Sequence, residues 1–172
     1  MDIRFLSGPA EQLDFPDGSF DVVTACQCYF YFKHEQLAPV LARVLKPSGR
    51  FVILYMAWLP EEDPIAGASE ELVLKYNPSW TGKGETRHYI AVPETYGKYF
   101  TVESNEIYDL QIPFTRESWD GRIRACRGIG ASLSEKEVEA FTKEHRRLLE
   151  TIAPEEFTIL HYAGMAVLRK KD

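Results

Sequence analysis

FDVVTAC at Phe20–Cys26 and FVILYMA at Phe51–Ala57 are the two stretches of sequence that decide the fold. Both are apolar at nearly every position, as strands of a parallel sheet that is covered on both faces are. A helix is predicted between them, from about His34 to Lys46, because apolar residues recur there at helical spacing and Pro47 and Gly49 follow. Strand, helix and strand in that order predict a right-handed βαβ unit.

The residues around this unit predict further elements of one α/β domain over residues 1–172. Ile3–Leu6 predicts a short strand that stops at Ser7-Gly8-Pro9. Residues 58–99 contain four prolines and predict an irregular insertion with one helix near Ser69–Tyr76. Because long irregular segments beside a sheet commonly carry binding residues, we expect 58–99 to form a lid or substrate insertion.

The last third of the chain predicts two strands separated by two helices. Thr101–Phe114 predicts a long strand, and Phe157–Leu168 predicts a closing strand that pairs with it in antiparallel fashion. Arg116–Arg127 predicts a helix with Trp119 and Ile123 on its apolar side. Ser134 and Glu137 form a capping box that opens a second helix.

Composition excludes several classes of function. A net charge of −6 provides no basic stripe for a nucleic-acid partner. No apolar run reaches the roughly 18 residues that a membrane span needs. Three cysteines and no signal-peptide pattern predict a reducing cytoplasm. Cys26-x-Cys28 and the four histidines lack the spacing of zinc ligands, so we expect no metal site.

Phe-Asp-Val-Val at Phe20–Val23 and Leu-Lys-Pro-Ser-Gly at Leu45–Gly49 together resemble the middle of a class I S-adenosylmethionine-dependent methyltransferase. The stretch Asp21–Phe32 is similar to the small-molecule branch that includes trans-aconitate and ubiquinone-type methyltransferases. The resemblance implies a Rossmann-like sheet with strand order 3-2-1-4-5-7-6, mostly parallel with an antiparallel closing strand. It also implies S-adenosylmethionine as cofactor and a small molecule as methyl acceptor.

The resemblance carries a set of cofactor-binding residues onto this chain. The family's acidic loop after the third strand corresponds to Gly8-Pro9-Ala10-Glu11, where Pro9 replaces the acid, so the amide of Ala10 and the carboxylate of Glu11 are the remaining candidates. The segment that runs beneath the cofactor corresponds to Ala25, Cys26 and Gln27.

Aromatic residues are the candidates for binding substrate. Tyr29 and Tyr31 lie in the run YFYF and suit a sulfonium, because a ring face attracts a cation; packing beneath the following helix is the alternative, above all for Phe30 and Phe32. Trp58, Trp80 and His88 lie in the insertion, where lid packing is the alternative. Methyl transfer from a sulfonium needs positioning rather than proton transfer, so no catalytic acid or base is predicted.

The glycine-rich turn that opens such a domain in the family is not among the 172 residues. We therefore expect a sheet without its first two strands, the carboxy-terminal two-thirds of the domain, which leaves the isolated chain's activity open. The exposed edge of Phe20–Cys26 predicts a homodimer that pairs or exchanges strands there, or else a chain of marginal stability. Two hypotheses follow: part of a small-molecule methyltransferase, or a non-catalytic dimerising module derived from one.

Overall fold

A computed structural model describes residues 3–171 and contains a four-stranded sheet in the order β1-β2-β4-β3. The strands are β1 Phe20–Cys26, β2 Leu45–Trp58, β3 Phe100–Thr115 and β4 Glu156–Lys170. The helices are α1 His34–Val44, α2 Pro64–Tyr76, α3 Arg116–Arg124 and α4 Glu135–Ile152, and three short 3-10 turns occupy Ala10–Gln12, Tyr29–Tyr31 and Glu94–Lys98. The chain is therefore an α/β protein, as predicted.

Strand directions confirm the predicted mixed sheet. β1 is parallel to β2, with Ala25 opposite Ile53. The N–H of Lys171 donates to the carbonyl of Tyr99 at 2.8 Å, so the end of β4 lies beside the start of β3. At the other end the N–H of Arg116 donates to the carbonyl of Glu155 at 3.1 Å. β4 is thus the antiparallel closing strand.

The junction between α1 and β2 differs from the prediction. The helix ends at Val44, and Leu45 already pairs with Phe20 of β1. The Lys-Pro-Ser-Gly turn lies as an irregularity inside β2, where Ser48 has a φ of 56°. Gly49 is required there, because a Cβ would lie 2.9 Å from the carbonyl oxygen of Lys46.

The predicted strand at Ile3–Leu6 is wrong. These residues form no strand, and the side chains of Phe5 and Leu6 are 93% and 74% exposed. A strand exists only where its backbone groups meet a neighbour. Within residues 3–171 no strand lies beside this segment, since β1 is the edge strand on that side.

The chain divides into two compact units. Unit 1 is Met1–Met56, His88–Ile107 and Ala163–Asp172; unit 2 is Ala57–Arg87 and Tyr108–Tyr162. Residues 58–87 of the predicted insertion thus belong to unit 2 and residues 88–99 to unit 1.

The core of unit 1 lies between α1 and the sheet. Leu37, Ala38, Leu41 and Val44 are buried on one side of α1, which confirms the apolar stripe. Leu37, Ala38 and Leu41 pack with strand residues that include Phe51 and Ile53 and with later aromatic residues that include Tyr96 and Phe100.

The core of unit 2 is helical. Asp63 caps α2 by accepting from the N–H groups of Ile65 and Ala66. Trp119 and Ile123 of α3 are completely buried, as predicted. The predicted capping box at Ser134 opens α4.

Candidate functional site

Gln27 ties the ends of β1 and β2 together in unit 1. Its side-chain amide donates to the carbonyl of Met56 at 2.7 Å, and its side-chain carbonyl accepts from the N–H of Met56 at 2.7 Å. Its own N–H donates to the carbonyl of Leu54 at 2.9 Å. Gln27 has a φ of 59°, so the chain turns sharply there. Ligands of open α/β sheets bind beyond the carboxyl ends of the parallel strands, where this turn lies.

Ala25 and Cys26 precede the turn and have different environments. Ala25 is buried in the core of unit 1, whereas Cys26 is exposed. The difference follows from the alternation of side chains along a strand. A ligand beside this turn can therefore meet the Cys26 side chain, while Ala25 serves as packing.

Glu11 is bonded to the start of α1. Its carboxylate accepts from the N–H of Lys33 at 2.8 Å, and this hydrogen bond lowers the pKa of Glu11. Ala10 is half-buried and packs against the core of unit 1. The two residues lie in the 3-10 turn Ala10–Gln12, so the predicted loop is ordered, and one Glu11 oxygen is already committed.

Tyr29 and Tyr31 have opposite environments. Tyr29 is buried, its hydroxyl donates to the carbonyl of Ala91 at 3.3 Å, and its ring lies 4.6 Å from that of His34. Burial raises the pKa of Tyr29. Tyr31 is 63% exposed. Tyr29 thus lies in the core of unit 1, while Tyr31 presents its ring to solvent.

An aromatic cluster of Phe30, Tyr55 and His88 lies in unit 1. The ring centroids of Phe30 and Tyr55 are 5.1 Å apart, those of Tyr55 and His88 are 5.8 Å apart, and those of Phe30 and His88 are 6.4 Å apart. Phe30 is 46% exposed. Tyr55 was missed by the sequence analysis, because inside an apolar strand its ring is indistinguishable from core. The cluster offers ring faces and edges to a cationic or planar molecule.

Trp58 lies in unit 2 and is largely enclosed. Its indole N–H donates to the Glu70 carboxylate at 2.6 Å, and its ring meets Trp119 edge-on at 5.5 Å. The Arg122 guanidinium lies 4.8 Å from its ring centroid. Burial raises the pKa of Glu70. Both polar partners of Trp58 thus come from unit 2 itself.

Trp80 lines a small cavity in unit 2. The cavity has a volume of about 200 Å³, and Asn77, Ser79, Arg127 and Ser132 are among its polar residues. Trp80 packs against Gly128, where a Cβ would lie 3.0 Å from the indole ring. Of the ten predicted site residues, Trp58 and Trp80 therefore belong to unit 2 and the other eight to unit 1.

A buried polar network in unit 2 was not predicted. His145 Nδ1 lies 3.0 Å from Asp120 Oδ1, and its Nε2 lies 3.1 Å from Ser69 Oγ. Ser69 donates to the carbonyl of Ile65 at 2.7 Å and accepts from the indole N–H of Trp119 at 2.9 Å. Ser, His and Asp in this order are known from hydrolases, but all three are completely buried here, so the network stabilises the core.

Residues 3–171 lack two kinds of feature. None of their helices has the length and apolar character to cross a membrane. The same residues contain no group of three or more His, Cys, Asp or Glu side chains that could hold a metal ion.

Comparison with known proteins finds methyltransferases. Residues 1–53 match a family model described as a methyltransferase domain. "Uncharacterized methyltransferase YcgJ" of Bacillus subtilis is 43% identical over 121 residues, which are 68% of this chain and 45% of that protein. Demethylmenaquinone methyltransferase of Thermus thermophilus is 44% identical over 55 residues, 31% of this chain and 25% of that protein. The chain spans less than half the length of either relative.

The fold agrees with these matches. One similar solved structure is that of "a Putative Type II Methyltransferase" from Anaeromyxobacter dehalogenans. The superposition has a TM-score of 0.51 and covers 94% of this chain and 68% of that protein's chain, with 15% sequence identity. The order β1-β2-β4-β3 equals the last four positions of the order expected from the family resemblance. The sequence matches and the sheet order together indicate a class I S-adenosylmethionine-dependent methyltransferase.

Proposed function

We propose that this protein transfers a methyl group from S-adenosylmethionine to a small molecule. The observation that carries the proposal is the methyltransferase family match at residues 1–53, which contains the Gln27 turn and ends inside β2. The relatives are methyltransferases by name, and the chain spans 45% of the first of them, so the activity is proposed for the whole protein.

The residues of unit 1 suit such a cofactor chemically. Phe30, Tyr31 and His88 are exposed rings that follow or flank the end of β1–β2, and ring faces attract the positive charge of a sulfonium. We propose that Ala10, Glu11, Cys26 and Gln27 bind the nucleoside part, with Ala25 packing beneath them. The Gln27 side chain is committed to Met56, so its part is to hold the turn in place while its backbone meets the nucleoside.

S-adenosylmethionine supplies an electrophilic methyl group when it is bound. The residues of this chain have three tasks: to hold the nucleoside, to line the reaction site with apolar rings that exclude water, and to orient the acceptor. Tyr29 supports the wall from the core, and Trp58 and Trp80 are proposed to meet the acceptor in unit 2. We also propose that the 58–99 segment selects the acceptor and that the reaction takes place in the cytoplasm.

Calorimetric titration with S-adenosylhomocysteine tests the proposal. We expect saturable binding that is weakened at least tenfold by Phe30→Ala. A radiolabelled methyl-transfer assay against small-molecule pools should then give product. Absence of both S-adenosylhomocysteine binding and methyl transfer in the protein containing this chain would contradict the proposal.

The edge of β1 favours a second candidate, a homodimer formed through that strand. Within residues 3–171 β1 has a neighbour on one side only, and Val22 is 49% exposed. Open edges of this kind pair readily with another chain. Sedimentation velocity at micromolar concentration should show a dimer that Val22→Lys dissociates, and a wild-type monomer would exclude it.

A further inference from the structure

An open groove of about 510 Å³ lies on unit 2 beside α3 and α4. Four cationic side chains line it: Arg124 of α3 and Lys143, Arg146 and Arg147 of α4. In the sequence these residues belong to two separate basic clusters, each of which resembles a solvated helix face. The structure brings members of both clusters into one cavity.

The guanidinium of Arg146 is anchored by the carboxylate of Asp120. Its Nε donates to Asp120 Oδ2 at 3.0 Å, and Asp120 is completely buried and bonded to His145 at 3.0 Å. The Arg146 side chain is nevertheless 55% exposed, so its outer N–H groups remain for a molecule in the groove. An anchored guanidinium binds an anion at a lower entropic cost than a mobile surface side chain.

The other three cations have no close partner among the described residues, although the charge of Arg147 acts on the carboxylate of Glu144. Among residues 3–171, Arg124, Lys143 and Arg147 make no ion pair within 4.0 Å and no side-chain hydrogen bond; the nearby carboxylate of Glu144 is bonded to Lys75 and Tyr76 instead. Lys143 and Arg147 lie four residues apart on one helix face, an unfavourable placement of like charges. The groove thus gathers four cationic side chains in a chain whose net charge is −6.

The acids and apolar groups of the groove restrict what it can bind. Glu139 and Glu150 also line the groove, so a long polyanion such as a nucleic acid would meet repulsion beyond the cations. Val138 and Thr142 offer apolar contact to an organic group. Three arginine forks and one lysine match phosphate oxygens, which accept paired N–H bonds.

We propose that the groove of Arg124, Lys143, Arg146 and Arg147 is a binding site for a small organic molecule that carries at least two phosphate groups. This site is independent of the proposed methyl transfer. Two observations support the proposal. Members of two cationic clusters line one cavity, and the buried carboxylate of Asp120 orients Arg146.

Isothermal titration with inorganic pyrophosphate at low ionic strength tests the site. We expect pyrophosphate to bind more tightly than orthophosphate. Lys143→Ala and Arg147→Ala should each weaken pyrophosphate binding about tenfold, and added salt should also weaken it. Lys136→Ala is the matched control, because Lys136 is exposed on the same helix outside the groove, and it should leave the affinity unchanged. Thermal unfolding of each variant verifies that the fold is retained.

Three outcomes would overturn the proposal. The first is absence of pyrophosphate binding by the folded wild-type chain. The second is equal weakening by Lys136→Ala, which would indicate attraction to the overall charge of the helix. The third is binding of citrate as tight as that of pyrophosphate, which would assign the groove to carboxylates.

Discussion

The side chain of Gln27 bonds to both backbone groups of Met56, at 2.7 Å each. The backbone turns away from β2 at Gln27, whose φ is 59°, and the Gln27 side chain makes the backbone bonds to β2 instead. β2 thus keeps a hydrogen-bonding neighbour beyond the end of β1.

Gln27→Ala should lower the free energy of unfolding by about 1–2 kcal/mol, because two hydrogen bonds are lost and water replaces them in part. Urea unfolding measures the change. Gln36→Ala is the control, since Gln36 is exposed on α1 and its side chain makes no hydrogen bond within residues 3–171. Equal stability of the Gln27 and Gln36 variants would mean that this pairing contributes nothing.

Gly67→Ala and Gly121→Ala should have opposite effects on stability. At Gly67 a Cβ would lie 2.6 Å from the carbonyl oxygen of Pro60, so the backbone must shift at a cost of about 1–3 kcal/mol. At Gly121, inside α3, a Cβ meets nothing within 4 Å, so alanine should stabilise the helix by about 0.5–1 kcal/mol. The same sign for both variants in thermal unfolding would contradict the packing described here.

Asp120→Asn should destabilise the protein at neutral pH by about 3 kcal/mol, because it breaks a buried charge network. Burial raises the pKa of Asp120, but hydrogen bonds from His145 and Arg146 outweigh it, so the pKa lies below its usual value. The stabilisation is therefore complete above the unfolded pKa of about 4 and is lost as pH falls through the lower folded pKa.

Unfolding between pH 7 and pH 3 checks this sign. The difference between wild type and Asp120→Asn should be constant near neutrality and should shrink below pH 4. Asp14→Asn, a change at an exposed residue, should leave the profile as it is. A difference that grows with acidity would refute the assignment.

His161→Phe should make the stability less sensitive to pH below about 6.5. His161 is buried against Phe114, and this burial lowers its pKa below the unfolded value of about 6.5. The neutral form is thus favoured in the folded state, and stability is lost as pH falls through the folded pKa. Parallel pH profiles for wild type and variant would show that His161 does not titrate on unfolding.

Phe30→Ala should weaken S-adenosylhomocysteine binding about tenfold, with a smaller effect on stability, because Phe30 is 46% exposed in the aromatic cluster. Tyr108→Ala is the control, since Tyr108 is a similarly exposed ring at 48% in β3. Calorimetric titration compares the two. Equal affinities would remove the cluster from the proposed site.

Local patterns predicted the elements whose stabilising contacts are near in sequence. The stripe of α1 and the capping box of α4 follow from residue spacing and composition. The prediction of a strand at Ile3–Leu6 was wrong because a strand needs a neighbouring strand to pair with. The residue pattern within the segment does not tell whether such a neighbour exists.

The candidate site was predictable only in part. Gln27 was predicted from the family resemblance and His88 from its place in the insertion, whereas Tyr55 was hidden inside an apolar strand. The pairing of Gln27 with Met56 spans 29 residues, and the contact of Ser69 with His145 spans 76. Contacts of that separation follow from the packing of elements.

By itself, the sequence determined the fold class, the family and the position of most helices and strands, because hydrophobic periodicity and capping act between near neighbours. Only the tertiary structure decided which rings cluster, which charges are buried and which cations share a groove. The physical reason is that these arrangements depend on the distance between elements that the chain brings together only on folding.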